Sequence, residues 1–425
     1  MEIIRIAVKD LFGRLDYDLP LDQGDVTIIT GPNGYGKTVI LKIINSFLKQ
    51  DYQFLFNIKF KFIQLYFTDF TVNLNQNDDV LKVLVTDENT KEIESFDITK
   101  SNDDELHNLS YYLNFDDEER EFKNIRRSYK YSIKKCILDE EKPKTKNNHW
   151  LDSRLDGCEI SFIKAQRLEY RSLDKNKDTS RIELTIERFA KDLSEKIKLA
   201  SEQSSIVAQK LDSSFPKRMF GLMESSSNIS SISDRLLGLQ ETRNNYIKYD
   251  FIKASDDSSV LSFKDINSTT IHKEYAHVLN LYIEDTLEKL SSYIDLYKKV
   301  DLFVSLLNEK MLAFKAIKID QDRGFYFIGD KGDEINLDVL SSGEQNQIVL
   351  YYDIIFNTKE ESIILIDEPE ISLHVVWQKE FLDSLNRIIK INNIKKVIIA
   401  THSPQIINNK WKLTVDLFDL VNGNK

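Results

Sequence analysis

The chain has 425 residues, a formal net charge of -11, 41% apolar and 30% charged residues, enough to bury a sizeable core in one large domain or two to three smaller ones. It contains no run of about 18 uninterrupted apolar residues, which argues against a transmembrane helix. Its two cysteines, Cys136 and Cys158, exclude a disulfide scaffold or a cysteine zinc cluster and suit a reducing cytoplasm. The opening MEIIRIAVKD lacks the basic-then-apolar pattern of a secretory signal, and the acidic balance argues against a general nucleic-acid coat.

Three of the 13 glycines, Gly31, Gly34 and Gly36, share one six-residue window. Residues 25–30, DVTIIT, predict a short buried strand. GPNGYGKT follows at 31–38, and VILKIINSFL predicts a helix. This is G-x-x-x-x-G-K-[ST] in strand–loop–helix context. The expected ATP contacts are Gly31, Pro32, Asn33, Gly34, Tyr35, Gly36, Lys37, Thr38 and Val39. Glycines let backbone N–H groups curl around phosphates, and the helix N-terminus favours negative charge. Lys37 is placed to reach the β/γ-phosphates, and the Thr38 hydroxyl to ligate Mg²⁺.

Residues 55–98 alternate apolar and polar, as in FNIKFKFIQLYF and VLKVLVTD, and predict antiparallel strands. Residues 103–121 are acidic, and residues 123–146 carry nine Lys/Arg. That basic run suits either a solvated loop or a contact with a phosphate backbone or an acidic protein. Further on, Ile182, Ile186, Phe189 and Leu193 predict a helix over 180–214. Leu290, Tyr293, Tyr297, Val300, Val304, Leu307, Met311 and Phe314 keep a 3-4 alternation within a second helix over 272–314. Such a seam predicts an antiparallel helical hairpin, a short coiled coil. Residues 223–233 and 253–259 read as turns or loops.

In the last third, Ser341, Ser342 and Gly343 stand at a predicted helix start and make a second anion site. Ile363–Ile366 predict a buried strand ending in two carboxylates. Asp367 suits a Mg²⁺ contact, and Glu368 suits polarising an attacking water. A further strand at 396–400 leads to His402, which can approach a γ-phosphate from a neighbouring strand end.

These motifs in this order resemble the ABC-type ATPase superfamily. LSSGEQ at 340–345 looks like its signature, with Glu344 inside it. IILIDEPE is similar to Walker B, THS at 401–403 to the H-switch, and Gln166 in FIKAQRLEY to the Q-loop glutamine, a Mg²⁺ and nucleotide contact. DEPEISLH together with THSPQII resembles the overcoming-lysogenization-like (AAA15) ATPases of phage defence, most closely the ATPase subunit of PARIS-type systems and next the Septu-type ATPase. His374-Val375-Val376-Trp377 departs from that pattern, since many relatives place proline after the histidine.

The resemblance implies a three-layer α/β P-loop ATPase head over 1–175 and 316–425 with a helical insertion at 176–315. It implies ATP and Mg²⁺ as cofactors, hydrolysis through Glu368, His402 and Lys37, and a homo-oligomer of at least two heads. In such a pair Ser342 and Gly343 of one head meet the ATP of the other, and Ser372 lies at the seam. Phe12, Arg14 and Tyr17 are candidates to meet adenine. The insertion is either a docking arm or a lid on its own head. Only 22 residues follow Ser403, too few for a TOPRIM nuclease, so the expected partners are a separately encoded TOPRIM-type effector nuclease and a phage-encoded trigger protein, with no membrane. The alternative is a RecF/Rad50-like repair ATPase clamping DNA, which the net charge disfavours.

Overall fold

A computed structural model describes residues 2–22, 24–77, 80–99, 154–155, 157–173, 180–221, 230–253, 273–310, 312 and 314–423. The acidic run 103–121, the basic run 123–146 with Cys136, the stretches 223–229 and 254–259, and Met311 lie outside the described residues. The chain divides into two compact units, residues 1–184 with 349–425 and residues 185–348.

Among the described residues the first unit holds three sheets, of six, five and two strands. In chain order it begins with β1 (Ile3–Leu11), β2 (Leu15–Pro20), β3 (Val26–Thr30), α1 (Lys37–Leu48) and α2 (Gln53–Phe56). Then come β4 (Phe62–Phe67), β5 (Phe70–Asn77), β6 (Val80–Asp87), β7 (Ile93–Thr99), β8 (Ile160–Ile163), β9 (Glu169–Leu173) and β10 (Ser180–Leu184). Strands β1, β2 and β4–β7 pair antiparallel in the order β2-β1-β4-β5-β6-β7. The alternation read at 55–98 is thus a true period-two pattern, with Ile63, Leu65, Val72, Leu74, Leu81 and Val83 buried.

The chain returns to this unit after α3 (Thr185–Gly221), α4 (Ser230–Lys248), α5 (Lys273–Leu290), α6 (Ile294–Lys310), β11 (Lys315–Asp320), β12 (Gly324–Gly329) and β13 (Glu334–Ile335). Helix α7 (Ser342–Phe356) begins in the second unit and ends in the first. After it run β14 (Ile363–Asp367), α8 (Val375–Asn392), β15 (Lys396–Ala400), α9 (Pro404–Ile407), β16 (Thr414–Asp416) and α10 (Leu417–Asn422).

The second sheet is parallel, in the order β16-β3-β15-β14-β8. Its central strands are continuous apolar runs, as a sheet covered on both faces requires. One face, with Ile363, Leu365, Ile398 and Ala400, joins a core shared by α1 and the antiparallel sheet. The alternate residues Ile364, Ile366, Val397 and Ile399 are equally buried. Helix α1 fills the space between the sheets because Ile40, Leu41, Ile43, Ile44 and Phe47 recur at helical spacing and are all fully buried. Each contributes roughly 2 kcal/mol of burial. The Asn392 amide ties the end of α8 to α7 by donating to the Ile354 and Ile355 carbonyls at 3.0 and 2.9 Å. The result is an α/β unit with a parallel sheet, interrupted in sequence by a second, largely helical unit.

In the second unit α3 and α5 run antiparallel. Ser204 Oγ donates to the Lys289 carbonyl at 2.7 Å, Lys289 Nζ reaches Asp212 at 2.8 Å, and Arg218 forks onto Asp285. The seam residues Leu290, Tyr293, Val300, Val304 and Leu307 are buried. Three expectations change. Residues 180–184 form a strand, because Ser180–Leu184 find a ladder partner in Glu169–Leu173, and pairing overrides the short helical spacing of Ile182 and Ile186. The long helix of 272–314 is broken by a 3-10 turn at Ser291–Tyr293, where Ser291 Oγ bonds back to the Glu288 carbonyl at 2.7 Å. It ends at Lys310, and Phe314 is exposed in a left-handed turn (φ 60°) before β11. Residues 230–233 belong to α4 rather than to a loop. Among the described residues no helix is long and apolar enough to cross a membrane.

Candidate nucleotide-binding site

The parallel sheet sets the site. Strand β15 lies between β3 and β14, so the three loops that leave their C-terminal ends are neighbours: Gly31–Gly36 after β3, Glu368–His374 after β14, and Thr401–Ser403 after β15. The crevice beyond the carboxyl ends of such strands is where open α/β sheets bind ligands.

The first loop turns through three glycines at φ 141°, 85° and 79° for Gly31, Gly34 and Gly36. L side chains avoid this left-handed region. Tyr17 is buried, and its hydroxyl donates to the Tyr35 carbonyl at 2.6 Å, holding the loop from below. Burial pushes the Tyr17 phenol up to about 12, with Tyr35 adding to the rise and Arg14 opposing it. Tyr17 therefore supports the loop and is not available to stack on a base. Phe12 is 41% exposed, with its ring 3.9 Å from where a Cβ on Gly36 would stand, while Arg14 is exposed. Lys37 is buried and donates to the Gly31 and Pro32 carbonyls at 2.8 and 3.3 Å. Asn33 is exposed on the loop, and Val39 packs against the core from the first turn of α1.

Thr38 and Asp367 meet although 329 residues separate them. The Thr38 hydroxyl lies 2.9 and 3.1 Å from the two carboxylate oxygens. Burial pushes the Asp367 carboxyl above its ordinary range; the Thr38 bond pulls it down and the charge of Glu368 pushes it up further. A hydroxyl and a carboxylate form an all-oxygen donor pair of the kind Mg²⁺ takes, and a carboxyl so placed is one that a divalent cation stabilises. Gln166 leaves the sheet three residues past Ile163, which pairs with Ile366 next to Asp367; its side chain is exposed.

Glu368 sits in the left-handed region at φ 44°, its N–H donating to the Ala400 carbonyl at 2.8 Å. A non-glycine residue held there is the kind of backbone strain that clusters at functional sites. His402 Nδ1 lies 3.7 Å from Glu368 Oε1 and 3.1 Å from Glu370 Oε1. Ser372 is exposed at φ 62°, and His374 caps α8 by accepting the Val376 N–H at 3.3 Å. Val375 occupies the first helical position, where proline is merely favoured.

Two residues of this site were not singled out in the sequence. Arg167 is buried beside Gln166 and donates to the Lys164 and Pro369 carbonyls, each at 3.3 Å. Burial pushes its guanidinium down to about 10 against the opposing charges of Asp353, Glu370 and Asp367. Glu370 is the other, 6% exposed. Its place two residues after Glu368 was the only signal.

The residues Ser341–Glu344 belong to the second unit. They form a reciprocal cap: the Ser341 N–H and Oγ donate to Glu344 Oε2 at 2.9 and 2.8 Å, and the Glu344 N–H donates to Ser341 Oγ at 3.3 Å. Lys315 reaches the same carboxylate at 2.8 and 3.0 Å. Ser341 and Ser342 are exposed.

A family model described as AAA ATPase domain (AAA_15) matches residues 1–407. Comparison with curated proteins gives no match. Among solved structures the chain is similar to the SMC head domain from Thermotoga maritima, at 11% identity and a TM-score of 0.31, covering 96% of this chain and 91% of that one. The match of the family model across nearly the whole chain shows that this protein belongs to the AAA_15 family of ATPase domains.

Proposed function

We propose that the chain binds Mg²⁺-ATP and hydrolyses it as an ABC-type head, and that it serves as the sensor and scaffold subunit of a prokaryotic anti-phage system. The observation that carries the ATPase reading is the convergence of Thr38 on Asp367 at 2.9 Å beside a left-handed glycine loop. Thr38 and Asp367 would hold Mg²⁺, with Gln166 as a third contact. Lys37 and the loop N–H groups would hold the phosphates, Glu368 would polarise the attacking water, and His402 would meet the γ-phosphate. Mg²⁺ held by Thr38 and Asp367 would supply neutralisation of the charge that develops on the phosphates.

The pairing of heads rests on the signature-like segment. One chain carries one phosphate loop and one Ser341–Glu344 cap, so two complete sites need two chains, Ser342 and Gly343 facing the partner's ATP. ATP would then act as reversible glue. The defence role rests on DEPEISLH and THSPQII, which resemble the PARIS-type ATPase subunit most and the Septu-type next. In that reading a cytoplasmic homo-oligomer holds a separately encoded TOPRIM-type nuclease and releases it when a phage protein arrives.

Glu368→Gln tests the hydrolytic step. Turnover should fall about 10²-fold or more while ATP binding is retained. Unchanged turnover would overturn the role of Glu368. Purification from the native locus with neighbouring genes, ATP and Mg²⁺ tests the scaffold role. A stable complex with a nuclease is the expected result. Recovery of the chain with DNA alone, and hydrolysis stimulated by duplex DNA, would point to a repair-type clamp.

A further inference from the structure

Glu370 has no role in the chemistry described so far, yet its carboxylate is the best-connected acceptor beside the candidate site. It lies in the turn after β14, where its carbonyl accepts the Leu373 N–H at 2.9 Å, and its side chain is 5% exposed. A single oxygen, Oε1, takes the Thr401 hydroxyl at 2.6 Å and the His402 N–H at 3.0 Å, and lies 3.1 Å from His402 Nδ1. The other oxygen, Oε2, is buried with no hydrogen-bond partner among the described residues. Arg167, buried behind it, lends a favourable positive charge and donates to the carbonyl of the preceding Pro369 at 3.3 Å. An anionic carboxylate is strongly disfavoured in such a place unless its bonds and the nearby cation offset desolvation. Here two hydrogen-bond donors and the His402 ring nitrogen converge on one oxygen.

This geometry constrains the imidazole. A carboxylate only accepts, so the ring atom facing it must carry hydrogen. The same oxygen holds the backbone N–H of His402, which fixes the base of the side chain as well as the ring edge. The ring is half exposed, at 51%, and since Nδ1 is the atom beside Glu370, Nε2 is the nitrogen left for a ligand. We propose that Glu370 is the positioning residue of His402: it holds the imidazole in the Nδ1–H form and turns Nε2 away from the protein as the free nitrogen that meets the nucleotide. The Thr401 hydroxyl donates to the same oxygen at 2.6 Å. The logic is that of a carboxylate behind a catalytic histidine, which sets tautomer and orientation without itself transferring a proton. The tautomer follows from the contacts alone; the effect on turnover rests on the ATPase reading.

The test is two-bond ¹H–¹⁵N NMR of the full chain labelled at histidine, with His402→Asn identifying the His402 signals among six histidines. The wild type should show Nδ1–H and a free Nε2. Glu370→Ala should move His402 toward the Nε2–H form that free histidine prefers, lower kcat by about tenfold or more, and leave the KM for ATP within about twofold. Thr401→Val removes a different bond to the same oxygen and should retain the Nδ1–H form. An Nε2–H tautomer in the wild type overturns the proposal even if Glu370→Ala does not fold, and so does an unchanged tautomer in Glu370→Ala. A correct tautomer in a chain that never hydrolyses ATP would leave the positioning in place and remove the ATPase reading instead.

Discussion

The cap at Ser341–Glu344 can be dissected by a double-mutant cycle. Ser341→Ala removes the hydroxyl that donates to Glu344 Oε2 at 2.8 Å and accepts from the Glu344 N–H at 3.3 Å. Loss of a serine N-cap costs about 1 kcal/mol. Glu344→Ala removes the acceptor of the Ser341 N–H at 2.9 Å and the partner of Lys315 at 2.8 Å. That side chain is only 11% exposed and Lys315 25%, so the charge-assisted bonds are worth more than a surface pair. The expected total is about 2 kcal/mol. The Oγ–Oε2 bond is lost in both single variants but counted once in the double. The double variant should therefore be milder than the sum by about 0.5–1 kcal/mol. Native-state hydrogen exchange over the first turn of α7 reads this local opening energy. Strictly additive losses would refute the reciprocal cap. The pH dependence has a definite sign. Burial opposes ionisation of Glu344, but the bonds from Lys315 and Ser341 outweigh it and hold the carboxyl below its ordinary 4.5. Protection should be complete above about pH 4.5 and fade as pH falls through the lowered folded value, and this step should be absent in Glu344→Gln.

Other consequences follow from single sites. Gly324 sits at φ 78°, and a Cβ there would stand 1.8 Å from the Ala190 carbonyl oxygen. Gly324→Ala should destabilise the second unit by about 2–4 kcal/mol. Gly332→Ala, at φ 81° with open space around it, should cost only about 1 kcal/mol; equal losses in urea unfolding would show that close backbone approach is not the cause. Arg218→Ala leaves Asp285, whose side chain is 8% exposed, without its bidentate partner. It should lower stability, with Asp285→Asn in the same background restoring part of it. No restoration would locate the loss instead in the bond from Arg218 to the Leu211 carbonyl at 2.8 Å.

The legible parts of the site were those in which consecutive residues carry the whole message. A strand, a glycine turn and a helix stand in unbroken order from Val26 to Leu48, so the phosphate loop needs no distant contact to be recognised. The same holds for Ile363–Asp367 and Lys396–Ala400, whose apolar runs suit only a strand buried on both faces. The helical spacing from Ile182 misled at its first residues because a strand is defined by a partner, and Glu169–Leu173 is invisible in a local window. The break at Ser291–Tyr293 was hidden for the opposite reason: the apolar seam runs through it, and periodicity does not register a serine that bonds its own helix carbonyl.

The sequence by itself determined the P-loop chemistry, the apolar strands that carry it and the presence of a long helical insertion, because local spacing dictates backbone state and which faces must be buried. Tertiary structure alone decided which distant groups face one another. Strand β15 pairs with both β3 and β14, and that pairing brings Thr401 and His402 onto the carboxylate of Glu370, 32 residues earlier in the chain. It likewise sets Thr38 against Asp367 and leaves Tyr17 under the phosphate loop rather than on its rim. Such meetings depend on strand order, which is settled by the burial of the whole sheet and leaves no trace in the spacing of any one segment.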